Sequence, residues 1–130
     1  RQAEQVAEAS LQGLFFTNLV SDGSSFFALS AEGRLFRIDT EGNSISVQIP
    51  NATARNGTIT VIPDTKTQAQ SIYVGVDGNI IYGFNSNLEL LQGFPLAGSG
   101  VPVFVDANGD GRKDCLTLTI DNKLNGWNLR

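Results

Sequence analysis

The sequence predicts an all-β chain built as three four-stranded, propeller-type blades, the third of them incomplete. Three observations carry this expectation. From Leu14 onward, short runs rich in Val, Ile, Thr and Phe alternate with Gly, Asn and Asp clusters, the pattern of strands joined by tight turns. A strand–turn–strand pattern recurs three times in one phase. Each recurrence takes about 45 residues, the size of a propeller blade.

The opening segment, residues 1–13 ("RQAEQVAEASLQG"), is the one helix-like stretch. Ala3, Val6, Ala7, Leu11 and Leu14 lie at helical spacing, and Gly13 is a stop signal. It reads equally as a linker. The blades then occupy about 14–50, 51–97 and 98–130. "LFRID" (residues 35–39), "IYGFN" (81–85) and "LNGWN" (124–128) set their phase. Each reads apolar, two variable residues, large apolar, then Asp or Asn. Turns precede them ("SAEGR", "VDGN", "IDNK"), and strands precede the turns ("FFAL", "SIYVGV", "CLTLTI"). Every unit therefore holds a tight hairpin at a fixed phase. A further strand comes before each hairpin: "LFFTNLV", "GTITVIP" and "VPVFVD". A fourth follows in the first two units, "SISVQIP" and "LELLQGFPL", whereas the third stops after its third strand.

One blade has two faces and cannot bury both alone; stacking blades around an axis buries both. The large apolar residues Ile38, Phe84 and Trp127 are expected between neighbouring blades. Core positions are likewise expected for Phe15, Phe16, Phe26, Phe27, Phe36, Tyr73 and Tyr82. A sandwich of about eleven strands is the rival fold. Closed propellers have about four to eight blades, so three leave open edges. The chain is thus read as part of a larger propeller, or as one half of a homodimer that closes a six-bladed ring. The missing outer strand of the third blade would come from the N-terminal segment or from a partner chain.

Between "VPVF" and "CLTLTI" lies "VDANGDGRKD". Asp106, Asn108, Asp110 and Asp114 fall at positions 1, 3, 5 and 9 of a loop, with Gly111 at 6. Calcium takes six to eight oxygen ligands, and side chains at 1, 3 and 5 converge when such a loop curls around the ion. Gly111 allows the sharp turn. Arg112 at 7 would offer only its carbonyl, and Asp114 completes the shell directly or through water. An EF-hand needs Glu at position 12 and flanking helices. Thr117 stands at 12, and β-branched runs flank the loop, so that reading fails.

"GFPL" followed by "PVFVDANGDGRKDCLTLTIDNKLNGWN" resembles the FG-GAP or VCBS-type blades of integrin-α-like propellers. The resemblance implies that the loop joins the first and second strands of a blade and binds Ca²⁺. Its ligands would be Asp106, Asn108, Asp110 and Asp114, with Arg112 at the carbonyl position. The match covers the last 40 or so residues well. In the second blade "DGNIIYGFN" and "LLQGFPL" fit, but "PDTKTQAQS" lacks the ligands. The first blade shows only the strand pattern, with "VSDGSS" where the loop would be. One calcium loop is therefore expected.

Composition narrows the function classes. A net charge of −4 offers no basic field for nucleic acid, and no apolar run is long enough for a membrane span. There is no His, no nucleophile motif and no phosphate-cradling loop, so the chain is not read as an enzyme. Its lone Cys115 lacks a base partner and reads as a small core residue. Two sequons, at Asn51 and Asn56, lie in a polar connection between blades. No Met occurs, and the chain is read as processed or as a fragment. Calcium sites of extracellular modules have dissociation constants near 10⁻⁴–10⁻³ M and fill outside the cell. The expected function is a non-catalytic, calcium-stabilised recognition module, secreted, periplasmic or at the cell surface, binding protein or glycan. The alternative is a piece of a propeller enzyme, quinoprotein or glycan-active, whose catalytic residues lie outside this chain.

Overall fold

The computed structural model describes residues 2–63 and 69–129. Among them there is no helix, and the strands form three separate antiparallel sheets. The first sheet holds β1 (Val20–Ser21), β2 (Phe26–Leu29), β3 (Arg34–Ile38) and β4 (Ser44–Gln48) in sequence order. The second holds β5 (Thr58–Pro63), β6 (Gln70–Val76), β7 (Ile80–Asn85) and β8 (Leu96–Ala97), again in order. The third holds β9 (Ser99–Val105), β10 (Asp114–Leu118) and β11 (Leu124–Trp127). Three sheets, each a local meander, set aside the two-sheet sandwich.

Hairpin register matches the repeat. Leu29 pairs with Leu35, Gly75 with Ile81, and Leu118 with Leu124. The first strands lie side by side, β1 against β5 and β5 against β9, so the sheets stack face to face with their opening strands on one side. Two apolar layers fill the stack. Between the first and second sheets sit Phe27, Leu29 and Leu35, facing Ile59, Ile72, Val74 and Phe84. Tyr73, Ile81, Phe94 and Leu96 meet Cys115, with Phe104 and Trp127 at the margin, between the second and third. At about 25 cal/mol per Å² of apolar area, such layers are the main stabilising term. Gly98, between β8 and β9, permits the close approach of the sheets there. A Cβ at that position would lie 2.6 Å from the Cβ of Thr117.

Of the two readings of the opening segment, helical or linker-like, residues 2–13 follow the irregular one. An isolated helix of that length is marginal unless tertiary packing buries one face; here Leu11 packs on the first sheet, while Val6 stays exposed. The strand expected at "LFFTNLV" shrinks to β1 and an isolated bridge between Phe15 and Ser30. "LELLQGFPL" is broken as well. Leu90 makes a single bridge to Phe84, and pairing resumes only at β8. Leu88 and Gly93, at φ 63° and 92°, turn the chain between them. Of the aromatics, Phe27, Phe36 and Tyr73 are buried, but Phe16 is 60% exposed, and Phe15 and Phe26 are at the surface. Phe84 and Trp127 pack between sheets, whereas Ile38 faces outward and is covered by Leu11.

Candidate metal centre

The register of β9 and β10 closes the loop. Asp114 pairs with Val105 in the ladder, so residues 106–113 bulge from the end of one hairpin. Asp114, the first residue of β10, is buried at 5% exposure. Its Oδ2 accepts the Ala107 N–H at 3.0 Å, pinning the two ends of the loop together.

The side chains at positions 1, 3 and 5 each fold back onto the backbone that follows. Asp106 Oδ1 accepts the N–H groups of Gly109 (2.7 Å) and Asp110 (3.1 Å), and Oδ2 accepts that of Gly111 (2.8 Å). Asn108 Oδ1 accepts the Asp110 N–H at 3.1 Å, and Asp110 Oδ1 accepts the Arg112 N–H at 2.9 Å. Short polar side chains favour such turns because they bond to backbone two residues ahead. Gly111 has φ 83°, a left-handed conformation that a side chain would oppose. The Gly111 N–H is the main cause that holds the Asp106 carboxyl below its usual 3.8, with Gly109 and Asp110 adding to it.

All the donors are oxygens, the set that a hard cation such as Ca²⁺ selects. The turns fix the side chains that carry them. Their present aim is at backbone N–H groups, however. Among the described residues no group of three or more His, Cys, Asp or Glu side chains is gathered to hold a metal ion. Each of these oxygens has further lone pairs, so binding would draw the side chains inward and leave the turns in place. Chemically, a loop of this kind can gather a cation whose charge offsets that of the carboxylates.

The counterpart turn in the first sheet is built from one acid. Asp22 Oδ1 accepts from the Ser24 N–H, the Ser24 hydroxyl and the Ser25 N–H, at 3.0, 3.1 and 2.8 Å. In the second sheet, most of "PDTKTQAQS" (64–68) lies outside the described residues. No motif marks Asp77, a residue of the second hairpin turn, as special. Its carboxylate accepts from the Thr53 hydroxyl (2.7 Å) and from the N–H groups of Arg55 (2.9 Å) and Asn56 (3.0 Å). It thus ties the connection between sheets to the second hairpin, a structural role. The hydroxyl it engages belongs to the Asn51 sequon. Asn51 and Asn56 are both exposed.

Cys115 is fully buried, and burial pushes its thiol up to about 11. Such a thiol is inert at neutral pH. A cleft of about 590 Å³ runs between residues 10–13 and the first sheet, lined by Ser30, Glu32, Arg34, Phe36, Ser44 and Ser46. Its one aromatic, Phe36, is buried, so the cleft has no platform on which a sugar ring could stack. Among the described residues no helix is long and apolar enough to cross a membrane. Compared with known proteins, the chain matches no family model and no curated protein.

Proposed function

We propose that the chain is a non-catalytic, calcium-stabilised recognition module of the β-propeller type that works outside the cytoplasm and binds a protein or glycan. One observation carries the metal: oxygen side chains at positions 1, 3, 5 and 9, already turned by backbone hydrogen bonds, in a loop whose ends a buried Asp114 ties together. Asp106, Asn108, Asp110 and Asp114 would hold Ca²⁺, with the Arg112 carbonyl. The ion would cancel the repulsion among three carboxylates and stiffen the hairpin between β9 and β10. Stacked meanders of four, four and three strands with adjacent opening strands support the propeller reading, with remaining blades or a second chain joining the stack. The extracellular assignment follows from the weak affinity of such sites, which fill at millimolar calcium and empty in a cytosol.

Thermal melting in millimolar Ca²⁺ and in chelator tests the metal. The expected result is a higher Tm with Ca²⁺, because a ligand bound only to the folded state stabilises it by mass action. Asp110→Ala should abolish the difference. Equal melting temperatures for the native chain in both conditions would remove the metal from this account.

A further inference from the structure

The repeat register makes the three sheets comparable position by position. Leu35, Ile81 and Leu124 open the third strand of each sheet. Leu35 and Ile81 are both 0% exposed under the next sheet in the stack, whereas Leu124 is 65% exposed. Their hairpin partners repeat the contrast: Leu29 and Gly75 are buried, and Leu118 is 58% exposed. Val103, which pairs with Leu116 on the same face, is 57% exposed. An apolar face that two sheets bury against a successor is thus bare on the third. Contiguous exposed apolar side chains of this kind mark an interaction surface.

The opposite end of the stack is different. The outward face of the first sheet carries Phe36 and Ile38, and the chain covers it itself. Leu11 packs on Ala28, Phe36 and Ile38, and Phe15 meets Phe36 with ring centres 5.7 Å apart. The Ala31 N–H donates to the Leu14 carbonyl, and the Leu14 N–H to Glu32 Oε1. Phe26, paired with Ile38 at one edge of that face, stays partly exposed; the positions beyond are polar, with Arg34 Nη1 donating to Ser46 Oγ. Polar, covered outer faces are how stacked repeats terminate.

We propose that the face of Val103, Leu116, Leu118 and Leu124 is the seat of a fourth antiparallel sheet of the same build, one whose third strand presents a large apolar residue as Phe84 and Trp127 do. A second copy of this chain fits less well, because the face it would bring head-to-tail is the capped one. The inference rests on the stacked-sheet part of the reading above and is independent of the metal.

The test fuses a second copy of residues 51–97, whose Phe84-bearing face already packs on the first sheet, behind residue 130. Hydrogen exchange is then read in β10 and β11, in Ca²⁺ and in chelator. Slowing by about tenfold or more is expected, and Leu118→Glu with Leu124→Glu, both at exposed positions, should cancel it. Unchanged exchange, slowing that survives the double variant, or an added sheet that stays unfolded overturns the proposal. So does a dimer of the unfused chain in light scattering that the same two substitutions dissolve, since the occupant is then a second copy. A calcium-dependent Tm without slowed exchange would overturn the docking face and leave the metal reading intact.

Discussion

The turn after β1 and the loop after β9 stand at the same place in their sheets. The first spans residues 22–25 and is built on one acid, Asp22, which accepts from Ser24 and Ser25 and, at 3.5 Å, from the Ser86 hydroxyl just after β7. The second uses Asp106, Asn108 and Asp110 in overlapping turns and closes them with Asp114. Both begin from the same physics, a carboxylate that accepts backbone N–H groups. The difference is charge density. A lone carboxylate in a short turn has nothing to repel it and gives a metal too few ligands. Three carboxylates in nine residues repel one another, and Arg112 and Lys113 offset only part of that charge. A short turn needs no ion, whereas the long loop gains from one.

Substitution at Asp114 should break this contrast most strongly. Asp114→Ala removes a buried carboxylate and its hydrogen bond from the exposed Ala107 N–H, a bond to a charged acceptor whose loss should cost about 1.5–3 kcal/mol in urea denaturation with chelator present. It also removes a calcium ligand, so the gap to the native chain should widen when Ca²⁺ is added. Asp114→Asn keeps an acceptor and should recover much of the first loss but little of the second. Equal stability of Asp114→Ala and the native chain in both conditions would mean that the loop is not anchored where the structure places its anchor.

Paired glycine substitutions sharpen the comparison with a smaller effect. Gly111 (φ 83°) and Gly23 (φ 97°) both lie in left-handed backbone, and an added Cβ at either would meet open space. Gly111→Ala and Gly23→Ala should each cost about 1–2 kcal/mol from backbone strain alone. Only the first should also weaken the calcium response, as read by calorimetric titration. A loss of calcium binding in Gly23→Ala would erase the distinction between the two turns.

The all-β class and the hairpin phase were legible because tight turns and β-branched runs are local signals. Leu29 with Leu35 and Leu118 with Leu124 pair across turns that the sequence marks with Gly or Asn. The loop was legible for the same reason, since its donors lie within nine residues. What sequence could not supply was long-range. Residues 2–13 have helical spacing, but whether a face finds a partner is decided by the first sheet, which takes Leu11 and leaves Val6 out. Phe16 and Phe27 look alike in sequence, and only the stack buries one of them. Asp77 looked like an ordinary hairpin residue until residues 53–56 folded over it.

Acid should separate the two turns by the smallest margin. Burial raises the pKa of Asp22, but hydrogen bonds from Ser24 and Ser25 outweigh it and leave the carboxyl below 3.8. Asp106 is also below 3.8, chiefly through the Gly111 N–H. A carboxylate whose pKa is lower folded than unfolded adds stability at pH values above the unfolded pKa. That stability fades as pH falls through the folded pKa. Both turns should therefore weaken below pH 3.8, along with Asp39, Asp77 and Asp121, whose carboxyls are depressed too. Against this shared background the variants are informative. Asp22→Ala should flatten the acid dependence of Tm equally with Ca²⁺ and with chelator. Asp106→Ala should flatten it in chelator and, in addition, remove the calcium-dependent part at every pH, because protons and Ca²⁺ compete for the same oxygens there. If Asp22→Ala altered the calcium-dependent part as much as Asp106→Ala does, the two turns would be coupled through the stack and not independent, as their separate hydrogen-bond sets imply.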